Sequence, residues 1–225
     1  MCGRFALAVE KKVIEMLFQL EIRMDFAPRY NIAPSQDILA VRIAPGRGER
    51  EAVLLKWGLV PRWAKDEAIG KSLINARAET AAEKPAFREA FRMRRALIPA
   101  SGFYEWRKDP AGKQPFYIGM KDGRPFAMAA LWESRDRAGE RLETCAILTT
   151  APNGLVAPLH HRMPLIIPEE AYALWLDPRA GRAELEDLAV PYPEELMAAR
   201  PVSRLVNNPD HDGPGVLSPP GPGAL

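Results

Sequence analysis

Short apolar segments separated by turn residues fill the middle of the chain, and they constrain its fold more than any other feature. Asp37–Ile43 alternates in polarity, and Ala52–Leu59 follows it across the turn sequence Pro45-Gly46-Arg47-Gly48, as in a β-hairpin. Five further strands are predicted at Ala96–Pro99, Phe103–Trp106, Phe116–Met120, Phe126–Trp132 and Thr144–Thr150. Because strands and helices do not alternate regularly, we expect an α+β fold: a single domain on a mainly antiparallel, barrel-like β-sheet.

Helices are predicted mainly outside this central region, so the sheet is expected to carry peripheral helices. In Glu10–Leu20 the apolar residues recur at helical spacing. Pro85–Arg95 begins with a proline that suits a first helical turn, and Glu169–Leu176 is predicted as a closing helix. We expect residues 1–207 to form the domain. Residues 208–225 are rich in Pro and Gly and poor in apolar side chains, which predicts a disordered tail.

Composition excludes several classes of protein. The 225 residues include only two cysteines, which rules out a disulfide framework and favours a cytoplasmic location. No apolar run approaches the roughly 18 residues that span a bilayer, and no signal peptide is present, so no membrane association is expected. The net charge of +2 is too small to indicate nucleic-acid binding by itself. Such binding would need a local basic groove.

The first residues, Met1-Cys2-Gly3-Arg4, place an unusual pair of nucleophiles at the start of the chain if Met1 is removed. Cys2 would then carry an α-amine and a thiol, whose ordinary pKa values are about 7.7–8.0 and about 8.5. Such a terminus can attack a carbonyl with the thiol. It can also condense with an aldehyde through the amine and then close a ring through the sulfur. Most free cysteines only fill space, as we expect of Cys145 in its apolar strand.

Two polar stretches are candidates for binding or proton transfer. In Asn75-Ala76-Arg77-Ala78-Glu79-Thr80 an amide, a guanidinium and a carboxylate alternate, so in an extended segment they share one face. They suit a sugar-phosphate or carboxylate ligand, or equally a structural ion-pair network. Glu105 lies in an aromatic strand, where burial would raise its pKa toward neutrality. Trp106 beside it is a core residue or a platform for stacking a base.

Two further stretches combine polar and aromatic groups. His160-His161-Arg162 follows a predicted strand, and a loop histidine is a natural general acid or base, or simply a solvated residue. The absence of CxxC and HExxH patterns predicts no metal site. Trp57 and Trp63 flank a bend, and we expect Trp57 in the core and Trp63 exposed, where it suits single-stranded nucleic acid. Arginines at helical spacing are typical of a solvated helix face: Arg88, Arg92 and Arg95.

Six motifs spread over roughly residues 2–207 resemble, in order, those of the SOS response-associated peptidase family, also called abasic-site processing proteins. The motifs are Met1-Cys2-Gly3-Arg4, Arg29-Tyr30-Asn31-Ile32-Ala33-Pro34, Trp57-Gly58-Leu59-Val60-Pro61, Asn75-Ala76-Arg77-Ala78-Glu79-Thr80, Gly102-Phe103-Tyr104-Glu105-Trp106 and His160-His161-Arg162-Met163-Pro164. His161 departs from the pattern, because many members carry an acidic residue there. Whether His160 or His161 faces the sugar of an abasic site therefore stays open, although His160 holds the family position.

The resemblance implies a protein of the DNA damage and SOS response that binds single-stranded DNA and senses abasic sites. After removal of Met1, by the protein itself or by an aminopeptidase, the Cys2 amine would condense with the ring-opened sugar aldehyde. The thiol would then close a thiazolidine, which crosslinks protein and DNA. The activity would be of crosslinking or lyase type, and the peptidase or hydrolase label would describe at most the removal of Met1.

The resemblance also implies roles for individual residues. Catalysis would rest on Cys2, with Asn75 for positioning, Glu105 for proton transfer at the amine and His160 for ring opening and reversal. DNA binding would fall to Arg4, Asn31, Pro34, Trp63, Arg77, Trp106 and Arg162. The resemblance implies no cofactor and no metal. We expect a monomer whose partner is single-stranded DNA containing abasic sites, located in the cytoplasm and associated with the nucleoid on DNA.

Two other functions remain open at this point. An amino-terminal-nucleophile amidohydrolase, such as a glutaminase, can also begin with Cys-Gly, using the thiol as nucleophile and the amine as base. A non-covalent module for single-stranded DNA, in which Cys2 is incidental, is the second. The spread of tryptophan and arginine motifs favours DNA over glutamine.

Overall fold

The computed structural model describes residues 2–109, 112–137 and 139–221. Its strands are β1 Phe5–Leu7, β2 Arg29–Ile32, β3 Asp37–Ile43, β4 Arg50–Trp57, β5 Asn75–Arg77, β6 Arg95–Ala100, β7 Gly102–Asp109, β8 Gly112–Met120, β9 Phe126–Arg137, β10 Glu140–Thr150, β11 Met163–Pro164, β12 Ile166–Ile167 and β13 Met197–Pro201. Its α-helices are α1 Lys11–Phe18, α2 Ala78–Ala81, α3 Arg88–Met93, α4 Tyr172–Leu176 and α5 Arg182–Asp187. In this part of the chain no helix is long and apolar enough to cross a membrane.

Five strands close into a barrel in the order β10-β4-β3-β6-β9, because β9 pairs back onto β10. Every pair in this ring is antiparallel except β10 with β4. The short strands β5 and β11 pair with β10, and β12 pairs with β9. The α+β fold and the mainly antiparallel, barrel-like sheet are therefore confirmed.

The predicted hairpin forms the first two strands of the barrel. β3 and β4 pair over their whole length around the turn at residues 44–49. Gly46 and Gly48 adopt φ of +78° and +74° in this turn. Side chains other than glycine rarely occupy that region, so these residues fix the turn and with it the register of the two strands.

A second sheet, β13-β8-β7-β1-β2, lies against the barrel and is antiparallel throughout. It contacts the barrel where Phe5 of β1 packs edge-to-face on Trp57 of β4, with ring centroids 5.4 Å apart. In this sheet β1 pairs with β7, and the Tyr104 N–H donates to the Arg4 carbonyl over 2.9 Å. The pairing brings the segment after Cys2 beside the strand that carries Glu105.

The helices lie outside the barrel, as predicted. α1 buries Ile14 and Phe18, and Phe18 stacks on Tyr172 of α4 at 5.2 Å. One prediction in this region is wrong. Arg95 is not on a solvated helix face but is buried at the start of β6, where it donates to the carbonyls of Phe91 and Trp175 at 2.6 and 2.7 Å. The guanidinium thus satisfies carbonyls that the ends of two helices leave without helical partners.

Residues 206–218, hereafter the C-terminal strap, fold back onto the second sheet. The predicted disorder is therefore wrong for residues 208–221, which the structure describes. Composition failed here because one apolar side chain, Val216, is buried and one carboxylate, Asp212, binds main-chain N–H groups of β2. The folded unit continues beyond the predicted boundary, whereas residues 222–225 lie outside the described residues.

Candidate active site

Cys2 lies just before β1, and an amide side chain holds its main chain. Asn75 Nδ2 donates to the Cys2 carbonyl over 2.9 Å. β5 presents this amide because it pairs in parallel with β10, with Asn75 opposite Ile147. The buried Asn75 Oδ1 accepts no hydrogen bond from the described residues. An acceptor next to Cys2 is thus left for a ligand, since buried polar atoms are normally paired.

The Cys2 thiol is completely buried and lies within electrostatic reach of Glu105. Burial raises the pKa of the Cys2 thiol, and the negative charge of Glu105 raises it further. Burial also raises the pKa of Glu105 to about 7. The thiol is therefore protonated at neutral pH, while the neighbouring carboxyl group exchanges its proton in that range.

Glu105 and His160 line one open cleft of about 770 Å³. The His160 Nδ1 lies 3.0 Å from the main-chain nitrogen of Arg162 and 3.1 Å from its carbonyl oxygen, so the Arg162 main chain engages this side of the ring. Burial lowers the pKa of His160, so the ring is neutral at pH 7. The exposed His161 stacks on it with centroids 4.3 Å apart. The structure thus brings Cys2, Asn75, Glu105 and His160 into one region, as the sequence motifs predict.

The second side of the site contains an ion pair that the sequence analysis did not assign. Arg162 donates through both terminal nitrogens to the Glu79 carboxylate, each over 2.7 Å, and also to the Thr149 carbonyl. This pairing lowers the pKa of Glu79. Glu79 does not share an extended face with Asn75, because α2 begins directly after β5. Arg77 is exposed, and no ion pair to it occurs among the described residues.

Three residues predicted to bind DNA form hydrogen bonds within the fold. The fully buried Asn31 has its side chain hydrogen-bonded to Arg4 and to the C-terminal strap, so its predicted role in DNA binding would be indirect, through these partners. Arg4 is half-buried, and its guanidinium donates to Asn31 and to the Val206 carbonyl. Trp106 is also half-buried; it lines the cleft and donates to Asn207 over 2.7 Å.

The remaining predictions concern tryptophans, a proline and the second cysteine. Trp57 is buried and donates to the Ile74 carbonyl over 2.8 Å, and Cys145 is fully buried, both as predicted. Trp63 is 61% exposed, which confirms its predicted exposure. Pro34 is half-buried in the turn after β2. In the described part of the chain, no group of three or more His, Cys, Asp or Glu residues could hold a metal ion.

The missed contacts share one property, which is long separation in sequence. Glu79 and Arg162 are 83 residues apart, and Arg4 and Val206 are 202 residues apart. Only the carboxylate within the Asn75 motif was a local signal for the first pair. The Asp-Gly-Pro sequence at 212–214 was the corresponding signal for the C-terminal strap, because Pro214 opens its short 3₁₀ helix.

Comparison with known proteins gives a consistent result over the whole chain. The family described as SOS response associated peptidase (SRAP) matches residues 1–209. Abasic site processing protein YoqW of Bacillus subtilis is 43% identical over 223 residues, covering 96% of this chain and 99% of that protein. Abasic site processing protein YedK of Escherichia coli is 32% identical over 227 residues, covering 97% and 100%.

More distant similarities extend this result. Abasic site processing protein HMCES of Gallus gallus is 31% identical over 225 residues, covering 86% of this chain and 67% of that protein. A crystal structure of a Bacteroides thetaiotaomicron protein superposes with a TM-score of 0.87 at 28% identity, covering 97% of this chain and 99% of the other.

Proposed function

Because this chain belongs to the SOS response-associated peptidase family, we propose that it processes abasic sites in single-stranded DNA through a covalent bond to Cys2. One observation carries the proposal: Asn75 holds the Cys2 main chain, and the charge of Glu105 acts on the Cys2 thiol. The names of the relatives, abasic site processing proteins, supply the substrate class.

The proposed reaction begins when Met1 is removed and the Cys2 α-amine becomes free. The amine adds to the aldehyde carbon of the ring-opened sugar, and loss of water gives a Schiff base. The thiol sulfur then bonds to the same carbon, its proton passes to a base, and the former imine nitrogen takes up a proton. The product is a thiazolidine, with no net oxidation or reduction.

Glu105 is the proposed proton carrier for these steps. A buried thiol is a poor nucleophile until it loses its proton, and Cys2 is kept protonated by its surroundings. A carboxyl group whose pKa is about 7 accepts that proton and returns it at neutral pH. The amine and the thiol therefore act in sequence on one aldehyde, and one nearby group serves both.

His160 is the proposed acid-base group at the sugar. Its Nδ1 is engaged by the Arg162 main chain, so Nε2 is the proposed site of proton transfer. From that position it would protonate the ring oxygen as the sugar opens. The Asn75 Oδ1 would accept a hydrogen bond from the sugar or from the Cys2 amine, which satisfies its buried lone pairs.

The DNA strand is proposed to run across the cleft. Trp106 on its wall and the exposed Trp63 are stacking platforms for bases, and Arg77 is a cation for a phosphate. Arg162 reaches a phosphate only by sharing its guanidinium with Glu79, so its contribution is smaller than the motif suggests. Arg4 and Pro34 complete the proposed channel for the DNA strand. The proposed active form is a monomer in the cytoplasm.

A denaturing gel tests the proposal directly. The protein without Met1 is mixed with a single-stranded oligonucleotide that carries one abasic site, and a covalent shifted band is expected. The band should be absent for Cys2→Ala and for protein that retains Met1. A shift seen only on a native gel would favour a non-covalent binding module, and release of ammonia from glutamine would favour an amidohydrolase.

A further inference from the structure

The C-terminal strap is joined to the amino-terminal segment through one buried side chain, Asn31. Its Nδ2 donates to the carbonyls of Val206, Asn208 and His211 at 3.2, 2.9 and 2.9 Å. Its Oδ1 accepts from Arg4 Nη1 at 2.8 Å. A single fully buried amide therefore connects three points of the strap to the residue two positions after Cys2.

Arg4 carries this connection toward the reactive terminus. The same Nη1 also donates to the Val206 carbonyl at 2.6 Å. At the main-chain level, the Arg4 carbonyl accepts from Tyr104 N–H, directly before Glu105. Since the planar guanidinium has a fixed donor geometry, its two acceptors fix the direction of the Arg4 side chain and restrict the main chain that leads to Cys2.

Asp212 anchors the strap to β2 by charge. Its Oδ1 accepts the main-chain N–H groups of Tyr30 and Asn31 at 2.5 and 2.8 Å, and its Oδ2 accepts from Arg29 Nε at 3.0 Å. Hydrogen bonds to an ionised acceptor contribute about twice as much as neutral ones. The carboxylate holds Asn31 at its main chain while the strap holds it at its side chain.

The strap also contacts the strand of Glu105. Asn207 Oδ1 accepts from Trp106 Nε1 at 2.7 Å. Val216 is buried in a small apolar cluster with Ala6 of β1 and Tyr104 of β7. Both strands that flank the site are therefore in contact with one segment near the end of the described chain.

We propose that the C-terminal strap is a positioning element for Cys2, with Asp212 as its principal anchor. It acts on Cys2 through Asn31 and Arg4, and its Asn207 also lines the cleft proposed for DNA. Two experiments test this proposal: alkylation of the Cys2 thiol, the thiol readout, and crosslinking to DNA, the crosslinking readout. Only the crosslinking experiment rests on the proposed function, so failure of the proposed function is distinguishable from failure of the strap proposal.

The thiol readout uses the second cysteine as an internal control. Purified full-length protein is treated with iodoacetamide, and alkylation of Cys2 and Cys145 is followed separately by peptide mass spectrometry. Asp212→Asn, which keeps the side-chain shape, should speed alkylation of Cys2 about tenfold by local opening. Cys145 in the barrel should stay within about twofold, because the barrel itself is not opened.

Two further variants make this test specific. Asp210→Asn removes the same charge from an exposed strap residue whose carboxylate forms no hydrogen bond or ion pair within the described residues, and it should leave both rates unchanged. Val216→Ala loosens the strap without any change of charge, and it should increase the alkylation rate of Cys2 but not that of Cys145. An unchanged Cys2 rate in Asp212→Asn, or a parallel rise at Cys145, overturns the proposal.

The crosslinking readout separates positioning from DNA binding. In single-turnover reactions with the abasic oligonucleotide, Asp212→Asn should lower the rate at saturating DNA about tenfold. The DNA concentration that gives half the maximal rate should change by less than about twofold. A rise in that concentration with an unchanged maximal rate contradicts positioning. If the wild-type protein forms no crosslink, the proposed function fails and the thiol readout alone decides on the strap.

Discussion

Cys2 and Cys145 are equally buried, yet the regions around them differ. Cys145 lies in the barrel wall, paired in register with Trp57 and Trp132 of the adjacent strands. Cys2 lies before β1, where its carbonyl accepts from Asn75 and its thiol experiences the charge of Glu105. Burial raises the pKa of both thiols. Burial therefore does not distinguish the two cysteines, whereas the carboxyl group of Glu105 and the adjacent cleft do.

Polar atoms in the two regions are satisfied to different degrees. Near Cys145, the Thr144 hydroxyl accepts the Val60 N–H over 2.9 Å. Near Cys2, the buried Asn75 Oδ1 and Arg4 Nε accept or donate no hydrogen bond within the described residues. Such atoms cost stability when they are left unpaired. In the barrel, two buried atoms without a hydrogen bond, Arg94 Nε and Glu133 Oε2, belong to an ion pair, whereas the two atoms near Cys2 do not in the described part of the chain.

The largest expected difference between the two regions is in covalent chemistry. Cys2→Ala should reduce crosslinking to the abasic oligonucleotide by at least about 10³-fold, because it removes the ring-closing sulfur. Cys145→Ala should crosslink at close to the wild-type rate. Single-turnover reactions on a denaturing gel measure both. Residual crosslinking by Cys2→Ala, or its loss in a folded Cys145→Ala protein, would remove the contrast on which the comparison rests.

The next effect concerns the proton carrier. Glu105→Gln should lower the crosslinking rate about 10²-fold at pH 8. In the wild-type protein the carboxyl group ionises as pH rises through about 7, so the rate should rise over that range. Glu105→Gln should lack this rise in rate and should keep only the rise caused by deprotonation of the Cys2 α-amine.

Glu133→Gln is the matched control, because Glu133 is a buried glutamate of the barrel that is paired with Arg94. It should keep the rise in rate through about pH 7. The same rise in Glu105→Gln would assign the proton carrier to another group.

A smaller effect is expected at the histidines. His160→Ala should slow crosslinking or its reversal about tenfold while DNA affinity stays nearly intact, because its proposed role is proton transfer and not strand binding. His161→Ala, which removes the exposed ring stacked on it, should change the rate by less than about twofold. Rates come from single-turnover gels and affinities from fluorescence anisotropy. Parallel loss of rate and affinity in His160→Ala argues against its assigned role.

The barrel strands could be predicted from sequence, because their alternation and turn residues are local signals. The predicted segment Asp37–Ile43 coincides with β3. β5 has only three residues and depends on pairing with β10, so no local pattern could define its end. Among candidate site residues, Glu105 could be identified from its aromatic strand. The link that Asn31 makes to the C-terminal strap could not be predicted, because these partners lie 175 to 180 residues away.

The smallest expected effect is on stability, and its sign follows from Glu105. Burial raises the pKa of this carboxyl group from 4.5 to about 7, so between these values the folded state binds the proton more tightly than the unfolded state. The free energy of unfolding contributed by this group therefore falls as pH rises through that range, by at most about 3 kcal/mol.

Chemical denaturation at pH 5 and at pH 8 compares the Cys2 region with the Cys145 region. Because glutamine does not titrate, the free energy of unfolding of Glu105→Gln relative to the wild-type protein should rise by about 2 kcal/mol from pH 5 to pH 8. Cys145→Ala should lose about 1 kcal/mol at both values, since it leaves a small apolar cavity in the barrel wall and no titration is involved. A pH-independent effect of Glu105→Gln would mean that burial of its charge does not destabilise the Cys2 region, and the contrast between the two regions would then be confined to reactivity.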